Sequence, residues 1–129
     1  MPVDVHVVTP EREVWSGESD LVIARGTDGE VGIMAGHIPL LVRLAIGPLR
    51  IQRADGELKM AIDGGFLHVA TNEGVTRVDV MADGAIEASE IDAAAEQARA
   101  DAASAAAKEG DEAAIRELAS AESRLALAT

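Results

Sequence analysis

Apolar and polar positions alternate in short runs over the first two thirds of the chain: VDVHVV (3–8), DLVIA (20–24), LLVRLAI (40–46), LRIQR (49–53), ELKMAI (57–62), FLHVA (66–70) and VTRVDVM (75–81). Side chains alternate across a strand, so runs rich in Val, Ile and Leu at this period predict β-strands with one buried face. Asp28-Gly29, Gly47-Pro48, Asp55-Gly56, Gly64-Gly65, Asn72-Glu73-Gly74 and Asp83-Gly84 separate them as turn signals. Many short strands at this spacing predict a sandwich or barrel. Asp55-Gly56 is the clearest two-residue hairpin, because a primed turn needs positive φ at both central positions.

From Ala85 the pattern changes. Residues 85–129 hold 18 alanines and no Pro, Val or aromatic residue, which favours helix almost throughout. Ser89 with Asp92 resembles a capping box and predicts a helix start near Glu90. Lys108, Gly110 and Asp111 supply a C-terminal cation, a left-handed cap and a new N-cap. The expectation is a β domain over 1–84, then a domain over 85–129 with antiparallel helices at about 90–108 and 112–127. The first helix is expected to bury Ala94 or Ala95, Ala98, Ala102 and Ala105, and the second Ile115, Leu118, Leu125 and Leu127 with Ala114, Ala121 and Ala128. A buried methyl contributes about 0.8 kcal/mol, against about 1.5–3 for a buried Leu or Ile. An alanine face therefore predicts a hairpin that is helical yet weakly held. Glu112–Arg116, and Asp92 or Glu96 with Arg99, are spaced to pair on the solvated face.

Charge narrows the partners. The formal net charge is −12, divided equally between the two segments, so the field repels phosphate backbones and anionic lipid heads. Nucleic acid is not an expected partner. No apolar stretch approaches the ~20 residues that cross a bilayer, and the N-terminus has no basic segment followed by an apolar run, so the composition reads as a soluble cytoplasmic protein without direct membrane insertion. One Trp, one Phe and no Tyr leave little to stack on bases or sugars.

Candidate chemistry is sparse. With no cysteine there is no thiolate catalysis, disulfide or thiolate metal site. His6, His37 and His68 are widely separated and lack a second ligand at helical or hairpin spacing, so no metal or cofactor is expected. Gly26, Gly29, Gly32 and Gly36 suggest a phosphate cradle, but no Gly-Lys-Ser/Thr and no helix follow them. They read instead as a turn at Gly29, a strand bend at Gly32 and a loop at Gly36. Leu40, Leu41 and Val42 read as core. No acid–base pair stands out, so the chain is not expected to be an enzyme.

The segments VVTPEREVWSG (7–17), DGEVGIMAGHIPLL (28–41), IGPLRI (46–51) and DGGFLHV (63–69), with the alanine-rich helical pair after them, resemble the epsilon subunit of bacterial F-type ATP synthase over nearly the whole chain. The resemblance implies a ten-stranded β-sandwich followed by a two-helix domain. It also implies a non-catalytic place in the central stalk that couples proton-driven rotation to ATP synthesis, peripheral on the cytoplasmic face of the cell membrane. The acid of D-G-E, Glu30 here, would touch the polar loops of the c ring. The G-H-x-P segment would face the gamma subunit through His37, Pro39 and Leu40. The helices would switch between a folded hairpin and an extended form that reaches the catalytic alpha/beta head and restrains hydrolysis. Relatives that bind ATP on the helices carry I/L-D-x-x-R-A and arginines on the second helix. Here Ala95 and Ser120 stand where arginines are expected, leaving Asp92 and Arg124, so no ATP binding is expected. Without the resemblance, the residues also allow a free-standing β-sandwich that binds a small acid or sugar.

Overall fold

Alternation in sequence becomes alternation in burial. In the computed structural model, which describes residues 2–128, Val3, Val5 and Val7 of strand β1 (Val3–Val8) are fully buried, while Asp4, His6 and Val8 are partly exposed. The remaining strands are β2 (Glu13–Ser19), β3 (Leu21–Gly26), β4 (Gly29–Ile33), β5 (Leu40–Arg53), β6 (Gly56–Asn72), β7 (Val75–Ala82) and β8 (Ala85–Glu87). Their spatial order is β2-β1-β7-β6-β5-β3-β4, with β8 also paired to β6. All pairs are antiparallel except β1 with β7.

The described residues form eight strands, where ten were expected. Gly47-Pro48 and Gly64-Gly65 do not end strands; they lie inside β5 and β6, which run 14 and 17 residues. Pairing of β5 with β6 keeps one register from Leu40↔Val69 to Arg53↔Gly56, missing only the Ala45/Gly64 position. There the sheet bends, and β6 changes its other neighbour from β8 (Met60–Ile62) to β7 (Gly65–Asn72). The long strands thus serve both layers of the sandwich. Gly65 sits at the bend with φ +124, a conformation that side chains rarely adopt, and a Cβ there would press into the Met81 carbonyl. One core results, with Val3, Val5, Val7, Leu67, Val69, Val78 and Val80 meeting Val22, Ile33, Leu49, Ile51, Met60 and Ile62.

Polypeptide leaves the sheet three residues after the composition changes, because Ala85–Glu87 still pairs with Ala61 and its neighbours as β8. A single 3-10 turn, Ala88–Glu90, leads to α1 (Ala93–Lys108) and α2 (Glu112–Ala128). The first helix starts at Ala93, not near Glu90. Asp92 is its N-cap, accepting from the Ala95 amide at 3.1 Å, so the cap lies three residues beyond the Ser89 proposed by the capping-box pattern. Asp111 caps α2 as expected, accepting from Ala114 N at 3.0 Å, after Gly110 in the left-handed region.

The buried face of the hairpin also differs from expectation. Glu96, Ala100 and Ala103 of α1 are buried, while Ala94, Ala95, Ala98, Ala102 and Ala105 face solvent. In α2 the buried residues are Ser120 and Ala121; Ile115 is exposed, and Leu118, Leu125 and Leu127 are half-buried. Alanine occurs on every side of α1, so apolar burial hardly distinguishes one face from another, and charged partners set the rotation. Glu96 and Arg99 pair at 3.3 Å, Arg99 reaches Glu117 at 3.1 Å, and Arg124 reaches Glu96 at 3.5 Å. α2 lies on β5 and β6, and α1 packs mainly on α2.

Candidate partner-binding surface

Residues 34–39 link β4 to β5, and two threonines of the β6–β7 hairpin hold this loop. Gly36 N donates to Thr76 Oγ1 at 2.7 Å, Thr71 Oγ1 donates to the His37 carbonyl at 3.1 Å, and the two hydroxyls lie 3.0 Å apart. Thr76 is buried, so the loop is anchored to the inside of the sandwich. His37 N also donates to the Met34 carbonyl at 3.2 Å. The His37 ring lies with Nδ1 2.7 Å from the Ile38 carbonyl, which can only accept; Nδ1 therefore carries a proton. Pro39 is exposed and closes the loop before β5.

Beyond Pro39, the alternation along β5 decides which leucine is available. Leu40 and Val42 pack against the core, as the sequence suggested, whereas Leu41 points outward with 64% exposure. Leu40, placed at the gamma interface by resemblance, is thus partly buried on the sandwich side. Leu41 is opposite His68, Arg43 is opposite Phe66, and Phe66 is opposite Met81, so these side chains share the outer face of one layer. Phe66 and Met81 are 44% and 43% exposed, and Ile38 on the adjoining loop reaches 72%. The Arg43 guanidinium lies 5.9 Å from the centre of the Phe66 ring. Exposed Phe and Met beside an Arg are residue types that protein interfaces concentrate, and Ile38 and Leu41 add exposed apolar surface to them. Three consecutive apolar residues, Leu40-Leu41-Val42, conceal the outward position in the sequence; only the strand's parity reveals it.

Glu30 lies elsewhere on the same rim. It is exposed on β4, an edge strand, opposite Arg25 of β3. With Asp28, Leu40, Leu41 and Arg43 it lines an open cleft of about 300 Å³. Gly29 opens β4, Gly32 lies within it, and Gly36 sits in the loop. Glu30 lines this cleft and His37 is not among the residues that do. Among the described residues no group of three His, Cys, Asp or Glu side chains is placed to hold a metal ion.

Asp92 and Arg124, the helical residues tied by resemblance to ATP, are each engaged with partners of their own. Asp92 caps α1, and Arg124 is bound by Asp63 of β6 at 2.7 Å and by Glu96. Nothing in the local sequence marks Asp63 for this role, because it stands in a D-G-G segment that reads as a turn.

The sandwich is shared with known proteins. Residues 2–88 match the family model for the ATP synthase, Delta/Epsilon chain, beta-sandwich domain. This chain belongs to that family. It is 48% identical over 77 residues to the ATP synthase epsilon chain of Frankia casuarinae, a match covering 59% of this chain and 89% of the relative. It is 46% identical over 99 residues to the ATP synthase epsilon chain of Thermobifida fusca, covering 74% and 69%. Its fold is similar to a chain in the Euglena gracilis mitochondrial ATP synthase, from a structure of OSCP, F1 and c-ring, with a TM-score of 0.71 and 25% identity over 96% of this chain and 75% of that one. The delta/epsilon family match ends at residue 88, one residue beyond β8, so the family's sandwich here includes all eight strands.

Proposed function

We propose that the chain is a non-catalytic subunit of the central stalk of a proton-translocating F-type ATP synthase, coupling rotation to ATP synthesis and restraining ATP hydrolysis through its helices. The outer face carrying Ile38, Leu41, Phe66 and Met81 is the observation that carries this reading, because the sandwich completes its own core without those side chains. A gamma-type subunit would cover that face together with His37 and Pro39. Glu30, exposed on the edge strand beside Asp28, would meet the polar loops of a c ring, its charge suiting a basic partner. The sandwich over 1–84, extended by β8, would serve the stalk, and the segment after it would be regulatory, meeting the alpha/beta head when extended. As part of that complex the chain would sit peripherally on the cytoplasmic face of the cell membrane; no helix among the described residues is long and apolar enough to cross a membrane.

Calorimetric titration of the purified chain with its cognate gamma subunit is expected to give a tight one-to-one complex. Two folded proteins that do not associate would refute the assignment. The same instrument is expected to register no sub-millimolar binding of ATP. Arg124 is already neutralised by Asp63 and Glu96, and Asp63, Asp83 and Glu117 line the cleft that holds Arg99 and Arg116. Sub-millimolar ATP affinity would show that these arginines are available to phosphates after all.

A further inference from the structure

We propose that Asp63 is the catch of a polar latch that holds the helical hairpin on the sandwich. Asp63 lies on β6 beside the Gly64-Gly65 bend, fixed by the bond from its own amide to the Gly84 carbonyl. Both of its carboxylate oxygens point to α2. Oδ1 accepts from Ser120 Oγ at 2.6 Å, and Oδ2 accepts from Arg124 Nη2 at 2.7 Å. Arg99 of α1 donates to the same Ser120 hydroxyl, and Arg124 also approaches Glu96 of α1. One sandwich carboxylate therefore gathers both helices, and both its charge and its hydrogen bonds are shielded from solvent on most sides.

Apolar packing is a weak competing anchor, with Leu118, Leu125 and Leu127 of α2 only half-buried. Among the described residues, the sandwich's core cluster contains no residue of α1 or α2, and the buried apolar residues of the hairpin are Ala100, Ala103 and Ala121. Alanine methyls contribute little area. The polar seam is itself incompletely satisfied. Glu96 Oε1, Arg99 Nε, Arg124 Nε and Ser123 Oγ are buried without a hydrogen bond, although Glu96 Oε1 and Arg99 Nε lie within ion-pair distance. Each such group loses hydration on docking without full compensation, which lowers the cost of leaving. The docked state is thus held at one charged point and is poised to open when that point is lost.

The inference rests on the regulatory reading only for its biological meaning; docking itself is measured on the free chain. The chain has no cysteine, so Asp55→Cys on the β5–β6 turn and Lys108→Cys at the end of α1 accept spin labels specifically. Pulsed-dipolar distance measurements are expected to show one dominant docked population in the otherwise unchanged chain. Asp63→Asn, which keeps an acceptor but removes the charge, is expected to raise the undocked fraction roughly tenfold or more, because Arg124 is left partly buried with an incomplete partner. Arg124→Gln should act likewise from the helix side, which covers the case in which Asp63→Asn disturbs the sheet. Glu122→Gln, an exposed change on the same helix, should leave the population docked. A hairpin that stays docked in Arg124→Gln, or one released equally by Glu122→Gln, would overturn the latch. If Asp63→Asn releases the hairpin while hydrolysis by the assembled complex is unaffected, the latch stands and the regulatory reading of the helices fails.

Discussion

Leu41→Glu is expected to weaken association with the gamma subunit more than about 100-fold while leaving the sandwich folded. Burying a leucine contributes about 1.5–3 kcal/mol, and the variant loses that contribution. It also forces a carboxylate out of water, which costs several kcal/mol more unless a cation meets it. Together these exceed the ~2.7 kcal/mol that corresponds to a hundredfold change. The free chain should tolerate the change, since Leu41 is 64% exposed and its inward neighbours Leu40 and Val42 are untouched. A thermal melt within a few degrees of the parent, together with lost binding in the gamma titration, is the expected pair of results. Undiminished affinity in the folded variant would move the interface away from this face.

Gly65→Ala should have the largest effect on stability. The added Cβ would lie against the Met81 carbonyl and 2.8 Å from the Ala82 Cα, both backbone atoms of the paired strand β7. Neither atom can turn aside as a flexible side chain would, and φ +124 adds its own strain. Backbone strain and overpacking each cost about 1–3 kcal/mol, so a loss of about 3–5 kcal/mol is expected from a domain whose whole stability is of order 5–15. Gly36→Ala provides the comparison. It also has positive φ, +86, but meets nothing within 4 Å, and it should cost only about 1–2 kcal/mol. Urea unfolding of both variants checks the pair; equal losses would mean that the bend yields.

Strand alternation was legible in β1 and the middle of β7, because Val3, Val5, Val7, Val78 and Val80 point inward with Asp4, His6, Arg77 and Asp79 beside them. The bends were not, because Gly47-Pro48 and Gly64-Gly65 look like turns whether a strand ends there or only changes direction. Which face α1 buries was hidden for a different reason: alanine on every side leaves the choice to Glu96 and Arg99, whose partners Glu117, Ser120 and Arg124 on α2 are 18 to 28 residues away in sequence. Asp63 was hidden in the same way. Gly36 lies in a loop as its sequence suggests, whereas Gly29 opens β4 and Glu30 lies within that strand; Leu41 reads as core and Phe66 and Met81 carry no sign of a role, since an outward apolar residue inside an apolar run has no mark of its own.

Control of hydrolysis by the helices is tested most directly on the assembled ATP synthase, reconstituted either with the full chain or with residues 1–87, a cut that spares β8 where one at Ala85 would remove it. Both forms are expected to assemble with gamma and support ATP synthesis, and the shortened form to hydrolyse ATP faster. A truncated complex that fails to assemble, or one whose hydrolysis rate equals that of the complete complex, would contradict it.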